Sequence, residues 1–167
     1  MDVGNLILQK AEFYALRNGI RKPYMTRERL QIYVFFVQGK SFEKTGSKLF
    51  EDELYASEDG IRIPEFEFFG NKPDSALDHH DVRRDRKRSS GRFTLKQQDL
   101  VWDVMEECTK KDLKTLQTEI KGMDLWKNAI NEKDKRISRA DIKNYFDKRT
   151  EYTEGSASFE DGVLSLF

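Results

Sequence analysis

The chain has 167 residues and carries 30 basic and 30 acidic side chains, so its formal net charge at neutral pH is zero. This length is enough for one domain with a substantial core. The balanced charge excludes general nucleic-acid binding driven by the whole chain, although a local basic patch could still bind. Cys108 is the only cysteine, which excludes an internal disulfide, and its place in a helical apolar pattern favours a buried, unreactive thiol.

The N-terminal region and the length of the apolar runs predict where the protein resides. Asp2 stands where a secretory signal would carry Lys or Arg, and no long apolar stretch follows it. The longest apolar run falls far short of the ~20 residues that span a bilayer. We therefore expect a cytoplasmic protein that has no membrane partner.

The first predicted element is an amphipathic helix near the N-terminus. Its apolar residues fall mostly at helical spacing, Asp2 is placed to cap it, and Asn18-Gly19 is placed to end it. Residues 20–25, which include Pro23, form a short connection into the next element, so the two elements should be neighbours.

The central element spans residues 26–39, and the rest of the chain is predicted to pack around it. Thr26 can cap a helix with its hydroxyl, and Gly39 can end one in the left-handed conformation. The segment between them is apolar on nearly every face, which is typical of an element buried on all sides. The run 32–37 could also form a buried strand, but the charged lead-in at 27–29, the cap and the length favour a helix.

The segment after the central helix begins with a predicted loop. Residues 40–48 are polar, which is typical of a loop or an irregular turn. In residues 49–56 two apolar pairs bracket three acids, and an ordinary helix or turn is favoured there. A metal site is the alternative, but no histidine lies beside the acids and the spacing of a calcium loop is absent.

A turn and a proline shape the residues that follow. Asp59-Gly60 is a turn signal. Pro64 disfavours the helical conformation for Ile63, so the residues before the proline should be extended. Pro64 can itself open a helix that carries three phenylalanines to Gly70.

Residues 71–92 have few large apolar residues and predict the longest loop. They contain a basic run that could contact nucleic-acid phosphates: Arg83, Arg84, Arg86, Lys87 and Arg88. A solvated linker is favoured, because Asp81 and Asp85 already lie among the bases. His79 and His80 are the only histidines, so a multi-histidine metal site cannot be assembled and no metal is expected.

Capping signals predict further helices in the C-terminal half. Thr94 begins a capping box, Asp112 can cap the next helix and Gly122 can end it. A short apolar turn follows, in which Trp126 is expected to anchor the core. Ser138 can cap the last helix.

Together these elements predict an all-α fold: a compact single-domain bundle of several helices around the buried helix 26–39, with short irregular or extended segments near 49–64. The domain is expected to span residues 1–149, including the basic loop at 71–92. Residues 150–167 form a polar tail with an apolar end. This tail could dock on its own domain or on a partner, or it could be an ordinary tail that orders only in a crystal.

Motifs for known reaction types are absent from the sequence. There is no Gly-rich phosphate loop, nucleophile elbow, His-Glu-x-x-His motif or paired-cysteine metal site. Carboxylates are abundant, but no pair of them stands out as an acid/base couple. We therefore expect no enzyme activity and no cofactor, since an enzyme would require a polar pocket with perturbed carboxylates.

Four segments carry a family signal in chain order. Residues 26–39 are similar to a Leu-Gln-Lys-Leu-x-Tyr-Tyr-x-Gln-Gly helix, and residues 49–53 to a Leu-Phe-x-Glu element. Residues 59–65 are similar to a Tyr-Gly-Pro-Val-x-Pro turn, and residues 126–146 to a Pro-Trp-x-x-Ala element with a terminal helix. The ordered set resembles the Panacea domain, also called the SocA-like antitoxin domain, over about residues 3–147. In the first segment the matching positions are Leu30, Gln31, Tyr33, Gln38 and Gly39.

The chain departs from the family pattern at several positions. The family's usual Trp before the turn is absent, since Ala56 is followed by Ser57. Ile61 and Leu125 each replace a proline, and the loop at 71–92 has no clear counterpart. These departures indicate a divergent member with a changed partner.

The resemblance implies a helical protein that neutralises a cognate toxin by direct binding, without catalysis or a cofactor. Such toxin–antitoxin systems are often carried by phages and other mobile elements. We therefore expect a non-enzymatic, antitoxin-like interaction module. One alternative is a phage- or prophage-encoded inhibitor of a host protein on the same fold. Another is a nucleic-acid-binding regulator that uses the basic residues in 83–92, although DNA is not the favoured partner.

The residues expected to face a protein partner flank the central helix and the turn: Arg27, Gln31, Tyr55, Arg62 and Glu65. For Tyr55 and Arg62, each taken alone, local packing or a local bridge is the favoured alternative.

Overall fold

The computed structural model describes residues 2–19, 25–67 and 93–147. The fold is mostly helical, as the sequence predicts, and it includes a small antiparallel sheet of three strands. The helices are α1 (Asp2–Asn18), α2 (Arg27–Thr45), α3 (Leu95–Thr109), α4 (Leu113–Gly122), α5 (Asp124–Asn131) and α6 (residues 139–147). The strands are β1 (Leu54–Ser57), β2 (Gly60–Arg62) and β3 (Arg136–Ile137), and a short 3-10 helix covers Pro64–Phe66. The loop at 71–92 and the tail at 150–167 lie outside the described residues.

Helix α2 lies at the centre of the fold and packs against α1, α3, α4 and β2. The structure confirms the predicted helix and excludes the strand alternative for residues 32–37. Thr26 caps the helix, since its hydroxyl accepts a hydrogen bond from the Arg29 amide at 3.2 Å. Residues 30–35 are all buried, which explains why the sequence shows no polar face there.

The C-terminal end of α2 corrects one prediction. The helix does not end at Gly39 but continues to Thr45, so the loop predicted for 40–48 begins only after it. Gly46 adopts the left-handed conformation instead, with φ of 67°, and its amide donates to the Phe42 carbonyl. Phe42 is buried, so tertiary packing extends a helix that the polar local sequence does not predict.

Gly39 allows close packing between two helices rather than ending one. Phe146 of α6 lies so near the α2 backbone that a Cβ atom at position 39 would overlap the edge of its ring. The Phe146 ring also meets Phe35 edge-on, with 6.1 Å between the ring centres. The missing side chain at position 39 therefore lets α6 lie directly on α2.

Strand β1 is the middle strand of the sheet, in the order β2-β1-β3. On its core side Leu54 is opposite Ile137 and Ala56 is opposite Ile61, and all four residues are buried. The helix or turn favoured for residues 49–56 is therefore wrong, since residues 50–53 are irregular and 54–57 form a strand, whereas the short irregular or extended segments expected near 49–64 are confirmed. Burial alternates from residue 54 onward, which is the periodicity of a strand.

Two glutamine side chains of α2 bond to the chain at two places, the segment before β1 and the residue directly after β2. The Gln31 side-chain oxygen accepts a hydrogen bond from the Ile63 amide at 2.7 Å. Gln38 accepts from the Leu49 amide at 2.9 Å and donates to the Phe50 carbonyl at 3.2 Å. Both glutamines are buried, and their bonds satisfy the buried Ile63 amide and two backbone groups of the partly buried residues Leu49 and Phe50.

Arg29 ties α2 to the C-terminal end of α3. Its guanidinium donates to the Lys111 carbonyl at 2.5 Å and to the Cys108 carbonyl at 3.3 Å, and also to the Tyr33 hydroxyl at 3.1 Å. The last carbonyls of a helix lack partners within the helix and carry its negative dipole end. Arg29 therefore caps α3 with a positive charge.

The predicted caps of the later helices are confirmed. Thr94 forms a capping box with the side chain three residues on, Asp112 caps α4, and the Ser138 hydroxyl accepts from the amide three residues on at 3.1 Å. The helix predicted to follow Pro64 is only the 3-10 turn Pro64–Phe66 within the described residues, and residues 68–70 lie outside them.

Replacement of Gly39 by alanine tests whether the position of α6 depends on this contact. We expect Gly39→Ala to lower the free energy of unfolding by about 2 kcal/mol or more, because the new methyl group must displace the buried Phe146 ring. Gly122→Ala is the matched control, since nothing lies within 4 Å of a Cβ atom there, and alanine favours a helix by up to about 1 kcal/mol. Urea unfolding measures the free energy of unfolding of both variants. If Gly39→Ala is as stable as the unaltered chain, the prediction is contradicted.

Candidate functional site

The outer face of the sheet brings together two of the residues that are predicted to face a partner. Tyr55 of β1 pairs directly with Arg62 of β2 and with Arg136 of β3, so the three side chains lie on the face opposite the core. The Arg62 guanidinium carbon lies 5.2 Å from the centre of the Tyr55 ring, within the range of a cation–π interaction. We call the row of Arg62, Tyr55 and Arg136 the sheet face.

Two acids balance the charges of the sheet face. Glu53 accepts a hydrogen bond from the Tyr55 hydroxyl at 2.7 Å and lies 2.6 Å from Arg136, and Glu67 lies 2.7 Å from Arg62. The hydrogen bond to Glu53 raises the pKa of Tyr55, so the hydroxyl remains a donor. Exposed ion pairs contribute little to stability, so a binding partner could replace them at small cost.

The other predicted contact residues do not join this row. Glu65 is exposed in the 3-10 turn, and Arg27 is partly buried at the start of α2, 3.8 Å from the neighbouring glutamate. Gln31 is buried, with its side chain turned into the fold and bonded to a backbone amide. The basic run at 83–88, predicted as a possible nucleic-acid contact, lies outside the described residues.

An open groove of about 1500 Å³ adjoins the sheet face, and Arg136 lines both surfaces. Its walls come from α2, α3, α4, α5, α6 and β3, together with the residues after α5. The groove has an apolar floor, which these helices build together: Phe36, Val104, Cys108, Met123, Leu125, Ala129, Tyr145 and Phe146. Concave surfaces with an apolar lining are typical of binding sites.

The rim of the groove is strongly acidic. Seven carboxylates and three basic side chains line it, which leaves a formal charge of −4 on a chain that is neutral overall. Two of the bases are paired within the groove, Lys40 with Glu43 at 2.8 Å and Lys111 with Glu119 at 2.9 Å. Lys111 also lies 3.7 Å from Glu107, and Asp124 lies 3.5 Å from Lys127, which does not line the groove. The excess of carboxylates in the lining gives the groove its negative potential, and the acids other than Glu43 and Glu119 are Glu107, Asp124, Glu132, Asp134 and Asp141.

The groove is not predictable from the sequence, because its residues are scattered along the chain from position 36 to position 146. One local signal is helix α5, whose apolar residues Leu125 and Ala129 line the floor. Acidic residues stand at both ends of this helix, at Asp124 and Glu132. That pattern predicts an amphipathic helix but cannot show which element lies opposite it.

The groove contains a thiol with little capacity to react. Cys108 is buried, as predicted, and burial raises its pKa to about 12. Burial likewise raises the pKa of Tyr33, against the opposing effect of its hydrogen bonds to Thr109 and Arg29. Among residues 2–19, 25–67 and 93–147, no group of three or more His, Cys, Asp or Glu side chains is placed to hold a metal ion.

The described part of the chain is therefore a mostly helical fold that carries an acidic groove beside a small sheet. Within that part, no helix combines the length and the hydropathy that a bilayer span requires. A scan against protein-family models finds no match, and searches of curated proteins and of solved structures find no similar protein. The resemblance to the Panacea domain therefore stays a prediction from the four sequence segments.

The state of Cys108 can be tested with a thiol reagent. With a pKa of about 12, the thiolate fraction at about pH 8 is on the order of 10⁻⁴, roughly a thousandfold below that of an ordinary cysteine. We expect Ellman's reagent to react with the native chain at least about a hundredfold more slowly than with the chain in concentrated guanidinium chloride. Similar rates in the two states would show that the thiol is accessible.

The role of Gln31 can be tested by removing its side-chain oxygen. Gln31→Met leaves the buried Ile63 amide without an acceptor, so we expect a loss of about 1–3 kcal/mol in the free energy of unfolding. Gln117→Met, which removes a hydrogen bond between a more exposed side chain and the Asp59 carbonyl, should cost less than about 1 kcal/mol. If Gln31→Met keeps full stability but weakens binding to a partner, Gln31 is a contact residue instead.

Proposed function

We propose that this chain is a non-enzymatic protein-interaction module of the antitoxin type, which neutralises a cognate toxin in the cytoplasm by binding it directly. The observation that carries the proposal is the open groove with an apolar floor. Six of the eight floor residues are already buried, so a bound partner would remove water mainly from the exposed parts of Phe36 and Tyr145, which is favourable for binding. The four segments that resemble the Panacea domain support the same function.

The sheet face extends the proposed interface beyond the groove. Tyrosine and arginine are the residue types that most often dominate the binding energy of protein interfaces. Tyr55 and Arg62 lie side by side there, and Arg136 connects them to the groove. In this proposal Tyr55 and Arg62 contact the partner and Glu65 flanks them.

A phage-encoded inhibitor of a host protein is the second candidate, and it would use the same two surfaces. The identity of the bound protein separates the two functions. An antitoxin binds a protein that harms the cell when it is produced alone, whereas an inhibitor binds a host protein that the cell normally uses.

Capture of the partner followed by a toxicity assay tests the proposal. We expect the tagged full-length chain to co-purify with one protein, which is toxic when expressed alone and harmless when this chain is co-expressed. The variant Tyr55→Ala/Arg62→Glu should bind that protein at least about tenfold more weakly, because it removes the aromatic ring and reverses the charge. The control Leu95→Ala/Lys96→Glu also truncates one large apolar side chain and reverses one positive charge, at the exposed start of α3, and it should bind normally.

Three outcomes would overturn the antitoxin proposal. Recovery of no protein would contradict the proposal that this chain is a protein-interaction module. Recovery of a harmless host protein that this chain inhibits would establish the second candidate. Recovery of DNA alone would assign the function to nucleic-acid binding, if neutralising the basic residues of the loop abolishes it: Arg83, Arg84, Arg86, Lys87 and Arg88.

A further inference from the structure

We propose that the groove binds a cationic amphipathic helix of the partner protein, in which an apolar stripe is flanked by Lys or Arg. This inference rests on the proposed function and specifies the chemistry that the partner must present. The observations that carry it are the apolar floor, the acidic rim and the composition of the segments of this chain that could compete for the groove.

The lining of the groove favours a helix over an extended segment. A helix satisfies its own backbone hydrogen bonds, so it can place an apolar stripe on an apolar floor without burying unpaired amides. An extended segment would need a free strand edge beside the groove. The strand that lines the groove, β3, is at the edge of the sheet but has only two residues.

The rim of the groove favours a basic partner. Its formal charge is −4, and the excess carboxylates stand on separate elements. Glu107 is near the end of α3 with a side chain that is 68% exposed, and Glu132 directly follows α5 and is also exposed. A helix that lies on the floor between them would bring its flanking Lys or Arg side chains to carboxylates on both sides.

The sequence of this chain argues against its own segments as the occupant. Residues 150–167 contain four acids and no Lys or Arg, so the groove would repel them. The basic stretch 83–92 has the right charge but contains no large apolar residue that could cover the floor. A partner with both properties fits the groove better than either segment.

The direct test uses two synthetic helical peptides that share one leucine stripe and differ only in their polar positions, which are all lysine or all glutamate. We expect the full-length chain to bind the leucine–lysine peptide at least about tenfold more tightly than the leucine–glutamate peptide. The affinity should fall as salt is raised. In NMR spectra, the amide signals that shift most should belong to α5 and to the residues that follow it. Equal binding of the two peptides, or no binding, would overturn the proposal.

Two charge-reversal variants locate the effect. Glu107→Lys/Glu132→Lys should weaken binding of the leucine–lysine peptide at least about tenfold. The ion pair that is lost between Glu107 and Lys111 is exposed and contributes little, and both new lysines would stand at helix C-termini, where positive charge is favourable, so the fold should be retained. Glu58→Lys/Asp99→Lys changes the net charge by the same amount at exposed positions outside the groove, and it should bind as tightly as the unaltered chain. Equal losses in the two variants would overturn the assignment to the groove.

A third variant tests the floor without changing the charge. Asn128 is exposed and lines the groove, so Asn128→Trp should fill part of the groove and weaken peptide binding at least about fivefold. The melting temperature should stay nearly unchanged, because substitutions at exposed positions usually have small effects on stability. Full binding by this variant would contradict the proposal.

Tighter binding after neutralising the basic run at 83–88, or after truncation beyond Arg149, would show that the chain's own segment occupies the groove and would overturn the assignment to a partner.

The inference and the proposed function can fail separately. If a toxin is captured and neutralised equally well by the unaltered chain and by Glu107→Lys/Glu132→Lys, the function stands and the groove is not its site. If the leucine–lysine peptide binds in the groove but no toxin exists, the chemistry of the groove stands and the antitoxin function is wrong.

Discussion

Helix α2 is buried along most of its length, and three of its polar side chains that lie against the core satisfy the backbone of neighbouring segments. Gln31 and Gln38 bond to the chain that leads into and out of the sheet, and Arg29 caps the end of α3. A buried polar group without a partner costs about 1–3 kcal/mol. Among the described residues, no buried side-chain nitrogen or oxygen lacks a partner. The irregular segment between α2 and β1 is therefore fixed by the central helix rather than by a regular structure of its own.

The same helix determines where the groove lies. Phe146 packs on the bare backbone at Gly39, which places α6 against α2. Helix α6 then supplies part of the groove floor through Tyr145 and Phe146, and α2 supplies Phe36. The shape of the candidate site consequently depends on a contact in the core. A change at Gly39 would act on the groove without touching any of the rim carboxylates.

The neutral total charge of the chain conceals a marked asymmetry. The groove carries a formal charge of −4, while the basic run at 83–88 carries five positive charges and one negative charge. A balanced total excludes only binding driven by the whole chain, because screening confines the effect of each charge to about 10 Å at moderate salt. The groove is therefore electrostatically distinct from the average surface, and this difference is the basis for expecting a cationic partner.

The sequence by itself determined the helical class, the central helix and the caps at Thr26, Thr94, Asp112 and Ser138, because these features depend on residues within one or two turns of each other. It also indicated the turn at Asp59-Gly60 and predicted Tyr55 and Arg62 as candidate contact residues for a partner. Only the tertiary structure decided the rest. Helix α2 continues past Gly39, the Gln31 side chain points into the fold, and β3 pairs with β1, none of which the local sequence indicates. The tertiary structure also assembled the groove from residues more than a hundred positions apart, since long-range packing leaves no local periodicity in the sequence.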